Sequence, residues 1–538
     1  MSDIGYVRTE MLPEQAPPNA TSGPIKWMQD NLFNGVLNSI LTVLSIVFLY
    51  YVLSIVLPWI WNGSWTAGSL KECREVIAAA AGDHAGGHGH GAACWAVIRE
   101  RYLQLIYGFY PSELYWRPNL AFIGMLVALL PILFSNLPRK MLWFSACYPF
   151  LAFWLLWGGS IFVPLGIMVG FVLGYAWMQV LGKRFGSIVG VIAALLAPVL
   201  WWALAVGPIE TAFSGMVANS RMDTVPAKLE RQIEAMTSIN LQEEENGLPK
   251  TQTFTLDAKK AQLNAFNNLP ILPAKVEAAE AALSEGVAQG VTGEDLEKLE
   301  AAVSNAKNEL ALTKRTAGRI GLIPVESAKF GGFMLSIIIG VTGIVLSLPL
   351  GILLALGRQT NLFIVKSLCV GFIEFIRGVP LITLLFVAST LLNYFLPPGT
   401  TFDIILRVVI MVTLFAAAYM AETIRGGLAA LPTGQYEAAD ALGLDYWKAT
   451  RLIIMPQALK ISIPGIVSNF IGLFKDSVLV SIIGLMDPIG LTNNIRADAN
   501  WNGIVWELYG FIALLFFIAC FSMSRYSMYL ERKLKTGH

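Results

Sequence analysis

Charged residues are scarce in this chain, so those that interrupt apolar sequence are the first place to look for chemistry. Lys475 and Asp476 sit side by side between Phe470-Ile-Gly-Leu-Phe474 and Val478-Leu-Val-Ser-Ile-Ile483. A charge at the centre of a bilayer costs about 2.5–3.5 kcal/mol on insertion scales, which makes intramembrane charges candidates for a transport path. An adjacent cation and anion complement the carboxylate and ammonium of a zwitterion at low dielectric. The alternative is a salt bridge between helices, or a joint in a bent span. Glu374, Arg377, Glu422 and Arg425 lie nearer the ends of apolar runs, where side chains snorkel and charge is cheaper. They are expected to serve structure or gating ahead of direct ligation.

A second set is spaced for docking: Glu437-Ala438-Ala439, then Gly443, Ile453 and Met455-Pro456. Pro432 and Thr433 precede a short helix whose Glu437 and Asp440 come early, where carboxylates suit the positive end of the dipole. Gly443 ends it at a position that tolerates left-handed backbone. Asp445 caps a second helix, with Lys448 and Arg451 toward its negative end, and Pro456 interrupts before the next span. The expected product is a helix-turn-helix on the membrane surface. Small Ala438 and Ala439 permit close approach of a partner's groove, and Glu437 offers one charged handle. The plainer alternative is an ordinary capped connector.

Bond-making chemistry is not indicated. There is no G-x-x-x-x-G-K-[ST] phosphate loop, no metal-ligand spacing and no nucleophile elbow. The chain is therefore expected not to hydrolyse ATP by itself and to hold no metal. Asp83-His84-Ala-Gly-Gly-His88-Gly-His90 carries all the histidines except His538, yet nothing flanking it fixes a coordination geometry. It reads as a flexible Gly-rich loop. Five cysteines are present; Cys147, Cys369 and Cys520 fall in or beside apolar runs as packing residues. Cys73 and Cys94 are the disulfide candidate, closing a loop of roughly twenty residues for about 3 kcal/mol if their compartment is oxidising.

The elements that must carry these residues are set by composition. With 538 residues, 55% hydrophobic and 14% charged, and a mean hydropathy of +0.59, the chain is a multi-span membrane protein. A net charge of +1 gives no argument for nucleic acid or an acidic partner. Runs long enough for about 30 Å of hydrocarbon fall at residues 38–60, 119–135, 141–157, 160–181, 187–207, 330–356, 366–396, 403–424, 461–486 and 503–527. Orientation follows the basic short loops: Arg139 and Lys140, Lys183 and Arg184, Arg358 and Lys366, the stretch from Arg425 to Arg451, and Arg525 to Lys535. Ten crossings from an inside N-terminus put all five clusters in the cytoplasm. Residues 61–118 and 208–329 then lie outside, and the first span is an uncleaved anchor.

Residues 208–329 change character, becoming rich in Ala, Glu, Lys, Asn and Gln. Val276, Ala279, Leu283 and Val287 form one helical stripe; Leu296, Leu299, Val303, Ala306 and Leu310 form another, with Thr292 as N-cap. Two antiparallel helices joined at 290–293 would bury both. This insert is either a platform for a soluble partner or a self-packed hairpin.

The docking pattern resembles the EAA loop of ABC importer permeases, with Met455 where that family usually has Leu. Glu374-Phe-Ile-Arg377-Gly378-Val-Pro380-Leu381 and Tyr419-Met-Ala-Glu422-Thr-Ile-Arg425-Gly426-Gly427 resemble two further signatures of its polar amino-acid branch. The N-terminal half, with Cys73, Cys94-Trp95, Tyr110-Pro111, Trp116-Arg117-Pro118 and Pro138-Arg139-Lys140, is similar to the larger M-type permease of general L-amino-acid importers and of glutamate/glutamine/aspartate/asparagine systems.

That resemblance implies an all-α polytopic protein of type I ABC importer transmembrane fold. Its core of about five helices, 330–531, contains the coupling loop 425–460; the rest is a cytoplasmic tail at 1–25, about five accessory spans within 26–207, the helical periplasmic insert 208–329 and a cytoplasmic tail at 532–538. It implies a bacterial inner-membrane location with both termini cytoplasmic. Glu437, Ala438, Ala439, Gly443, Ile453 and Pro456 would dock on a cytosolic ATPase dimer, which would hold the ATP and Mg. An amino acid would arrive on a periplasmic binding protein. Five core spans cannot divide into two equal halves, so a sister permease is expected to supply the rest of the pathway. The rival class is an ion-gradient-driven transporter using Asp476 or Glu422 as proton carrier. A membrane scaffold built around its outer helices is a weaker third.

Overall fold

The computed structural model describes residues 23–81, 91–134, 136–391 and 403–534, which fall into two compact units. The His84–His90 stretch lies outside the described residues.

The smaller unit comprises residues 23–102 and 494–513. Helix α1 (Pro24–Asn31) leads to α2 (Val36–Trp61), a 26-residue apolar helix with no buried residue. At 1.5 Å per residue α2 is about 39 Å long, enough to cross a bilayer. Beyond it, α3 (Leu70–Ala81) is joined through a Cys73–Cys94 disulfide to the strand-like segment before α4 (Ala96–Tyr107). Ser64 N–H donates to Ala93 O at 2.9 Å, Leu70 N–H to Asn500 O at 2.7 Å, and Arg101 pairs with Asp498 at 2.7 Å.

The larger unit comprises residues 103–493 and 514–534. It continues with α5 (Trp116–Leu133), α6 (Leu142–Trp157), α7 (Phe162–Phe185) and α8 (Ser187–Trp201). Among the described residues of the whole chain, eight helices are long and apolar enough to cross a membrane, and one bent pair would make a ninth. The ten expected runs differ from this in three places. Residues 141–157 give only the 16-residue α6, about 24 Å long and short of a full crossing. The fifth run does not stop at 207: a π-helical turn, Trp202–Val206, passes into α9 (Gly207–Ser220), making Val189–Ser220 one long apolar stretch. Pro208 stands in the first turn of α9, where the missing N–H breaks nothing. The seventh run is bent by 102° between α15 (Phe363–Gly378) and α16 (Leu381–Thr390). Pro380 lacks an N–H and forces Val379 into extended backbone, φ −111° and ψ 133°.

The insert holds α10 (Val225–Glu245), α11 (Thr253–Asn268), α12 (Leu272–Ala288) and α13 (Glu294–Ala317). Helices α12 and α13 do pack together, but the buried cluster is Ala218, Leu229, Ala265, Phe266, Leu269 and Ala317, from α9 to α13. Val303 and Ala306 of the expected stripes are buried, whereas Val287 is exposed. Thr292 does not cap α13; Gly293 does, at φ +67°, a left-handed value that a glycine takes without strain.

In the core, α14 (Gly332–Gln359) packs along α17 (Ile404–Ala429). Gly340, Gly343, Ser347, Gly351 and Ala355 line the buried face of α14. Small residues let apolar helices approach closely where no hydrophobic force drives them together. A Cβ at Gly351 would stand 2.6 Å from Met420 Cβ, so the two helices could not stay that close. The chain then runs through α18 (Gly434–Ala441), α19 (Tyr446–Ala449), α20 (Met455–Asp476), α21 (Pro488–Ala497) and α22 (Trp506–Leu534).

Candidate functional site

Five charged residues from separate stretches of sequence meet where α14, α15 and α17 end together. Arg358, at the last turn of α14, contacts Glu374 and Glu422 at 3.0 Å each. Arg425 reaches Glu422 at 2.5 Å and Arg377 approaches the same carboxylate at 3.9 Å. Glu422 is the hub, its side chain only 23% exposed. Arg377 also lies over the Tyr419 ring, 5.6 Å from its centroid, and its buried Nε has no hydrogen-bond partner. Three guanidiniums against two carboxylates leave one positive charge in excess. Partial burial makes such pairs stronger than surface pairs, which typically contribute about 0–1 kcal/mol.

In the sequence Arg358 stands only as an orientation marker. Its partners lie 16 and 64 residues away, so no local spacing announces the contact. The signal that was available is its place at the mouth of an apolar run, opposite two acidic residues at the mouths of others.

Residues 434–449 form the expected helix-turn-helix, with two corrections. Helix α18 ends at Gly443, φ +68°, and Asp445 accepts from Lys448 N–H at 3.0 Å at the start of α19. Glu437, Ala438 and Gly443 are exposed, as are Tyr436, Leu442, Tyr446, Trp447 and Leu452. Ala439 is not at the surface: it is 1% exposed and faces inward, so its small size serves packing within this chain. Ile453 is half-buried against a cluster that includes Met420, Ile424 and Met455. Pro456 does not interrupt the chain either. A π-helical turn at Thr450–Ile454 precedes it, and Pro456 occupies the first turn of α20. The wider turn accommodates a residue without an N–H, so helix runs from Tyr446 through Ile483.

Helix α20 is tied to α17 next to the ionic hub. Ser462 Oγ donates to Thr423 O at 3.2 Å and Asn469 Nδ2 donates to Thr423 Oγ1 at 2.8 Å. Gln457 donates to Gln435 of α18 at 2.9 Å. The helix-turn-helix is thus tied to α20 through Gln435, and α20 to α17 through Thr423, the neighbour of Glu422.

Lys475 and Asp476 close the α-helical part of α20, where the chain tightens into a 3-10 stretch, Ser477–Ile483. Lys475 is exposed and Asp476 half-buried, and neither makes an ion pair among the described residues. Gly340 of α14 packs on the neighbouring Phe474. That contact lies eight residues into the 28-residue α14, about 12 Å from its start. Among the described residues the two charges do not form the interhelical salt bridge that the sequence also allows.

Comparison with known proteins gives the context. Residues 347–536 match the family described as binding-protein-dependent transport system inner membrane component. The chain is 47% identical over 539 residues to the glutamate/glutamine/aspartate/asparagine transport system permease of Rhodobacter capsulatus, covering 100% of both. It is 30% identical to an inner membrane amino-acid ABC transporter permease of Escherichia coli, over 98% of this chain and 97% of that one. A probable glutamine ABC transporter permease of Bacillus subtilis is 30% identical and covers 37% of this chain, aligning over 90% of its own length. With its apolar helices and full-length identity of this order, the chain belongs to the family of inner-membrane ABC transporter permeases of binding-protein-dependent systems.

Proposed function

We propose that this chain is one permease subunit of an ATP-driven importer for acidic amino acids and their amides, coupled to a cytosolic ATPase through residues 425–460. The observation that carries the reading is the exposed α18–α19 element continuous with α20. A push on α18 or α19 is delivered along α20 to Thr423 and thence to Glu422. Rigid helices with two packed arrangements are the physical basis on which such coupling rests. Loaded binding protein and ATP favour an outward-open state, and hydrolysis resets it.

The inside orientation of both termini, which counts the short α6 as a tenth crossing with the bilayer thinned around it, a sister permease, an ATPase dimer holding ATP and Mg, and a periplasmic binding protein complete the proposal. Hydrolysis belongs to the ATPase and not to this chain. The excess positive charge around Glu422 and the unpartnered Arg377 Nε suit substrates that carry a carboxylate. Lys475 and Asp476 supply a complementary pair deeper in the membrane. Replacing Asp476 with Asn is expected to abolish uptake by the reconstituted complex while leaving its assembly intact on size exclusion. Normal uptake by that variant would remove Asp476 from the path. Family membership displaces the ion-gradient reading, which has no particular observation in its favour.

A further inference from the structure

A cavity of about 390 Å³ lies in the smaller unit beside the Cys73–Cys94 disulfide, a size usual for small-ligand sites. Two of its lining residues are charged and of opposite sign, Arg74 on α3 and Glu507 in the first turn of α22. Glu507 is only 8% exposed. One of its oxygens accepts from Cys94 N–H at 2.9 Å, and among the described residues no other donor and no cation reaches the carboxylate. A buried carboxylate with one hydrogen bond is under-compensated, even with the helix N-terminus favouring its charge. Arg74 is exposed and makes no ion pair among the described residues. The site therefore offers a buried anion without a cation and, at its lining, a solvated cation free to take an anion.

Tryptophans place the cavity at a membrane–water interface. Trp59 lines it at the end of α2 and lies 5.7 Å from Trp95, which stacks on Trp65 at 5.9 Å. Trp506 also lines it and is 75% exposed at the start of α22. Tryptophan concentrates at headgroup level, where its ring is half in apolar and half in wet surroundings. The flank of α2 leading away from the cavity is apolar and exposed along its length.

We propose that this cavity binds the headgroup of a zwitterionic aminophospholipid, with the ammonium on Glu507, the phosphate on Arg74 and the acyl chains running along α2. The indoles of Trp59 and Trp506 add cation–π attraction for the ammonium. The disulfide ties α3, and with it Arg74, to the segment whose Cys94 N–H binds Glu507. A free amino acid carries the same pair of charges, but it has no use for an apolar flank or an interfacial belt.

Native mass spectrometry of the full chain in micelles doped with phosphatidylethanolamine, phosphatidylcholine or phosphatidylglycerol tests the site. Wild type should retain phosphatidylethanolamine about tenfold better than the other two. Glu507→Gln should erase that preference, since Gln keeps an acceptor for Cys94 N–H but no charge. Arg74→Gln, at an exposed position, should weaken phosphatidylethanolamine binding without disturbing the fold, so the test stands even if the Glu507 variant fails to assemble. Equal retention of the three lipids by wild type, or retention unchanged in Arg74→Gln, would overturn the proposal. Displacement of the lipid by millimolar free glutamine would overturn it in favour of a soluble zwitterion.

Discussion

At the scale of single residues, Glu422 does more than any other polar group in the core. It answers Arg358, Arg377 and Arg425 at once, so neutralising it strips three guanidiniums of their shared partner. Glu422→Gln is expected to shift the balance between conformations by about 1–2 kcal/mol after allowance for partial exposure, about tenfold in uptake. Transport assays on the reconstituted complex would measure it; unchanged uptake would make the cluster ornamental to function. Asp487 is a different case. Fully buried outside the spans, it caps α21 by accepting from Gly490 N–H at 2.8 Å, and burial pushes its pKa up to about 6. The folded protein then holds a proton that the unfolded chain, near the usual value of 3.8, gives up. Stability from this group is present at low pH and falls as pH rises from about 4 to about 6, by about 3 kcal/mol in all. Asp487→Asn keeps the cap, so it should raise the melting temperature at pH 7.5 and flatten that window; an unaltered pH profile would contradict the assignment.

Among the elements, the α18–α19 pair was the most legible, because its signals are local. Gly443 at a left-handed turn and Asp445 at an N-cap are each decided by a few neighbouring atoms. What the sequence hid depends on the third dimension. Ala438 and Ala439 are chemically identical, yet one faces solvent and the other packs inward. Pro456 looked like a break because the π-helical turn that absorbs it has no sequence mark of its own. Pro380, equally visible, does break its helix, since nothing widens the turn before it and Val379 goes extended. Gly443→Val would force a β-branched residue to φ +68°, costing about 1–2 kcal/mol of local strain. The turn would reopen and the exposed faces of α18 and α19 would lose their common orientation. Copurification with the ATPase should fall while membrane insertion stays normal; full ATPase binding and uptake by this variant would mean that the turn does not set the interface. Glu437→Lys reverses the exposed charge without touching the fold and should act at the same step.

For the whole molecule, the apolar runs were readable because hydrocarbon thickness imposes a minimum length on them. The exceptions are those where length alone misleads: α6 is too short, and α8 continues through a π-helical turn into α9. The ionic hub was not readable, since its members are spread from residue 358 to residue 425 and meet only when three helices close. The insert's buried cluster likewise comes from α9, α10, α11 and α13 together and not from one pair of stripes. The relation between these parts and transport has one direct test. The chain would be purified with its membrane and cytosolic partners, sealed in vesicles, and assayed for uptake of labelled glutamate and glutamine with and without ATP and binding protein. The account predicts uptake that requires both ATP and binding protein; uptake by this chain alone on an imposed proton gradient would contradict it.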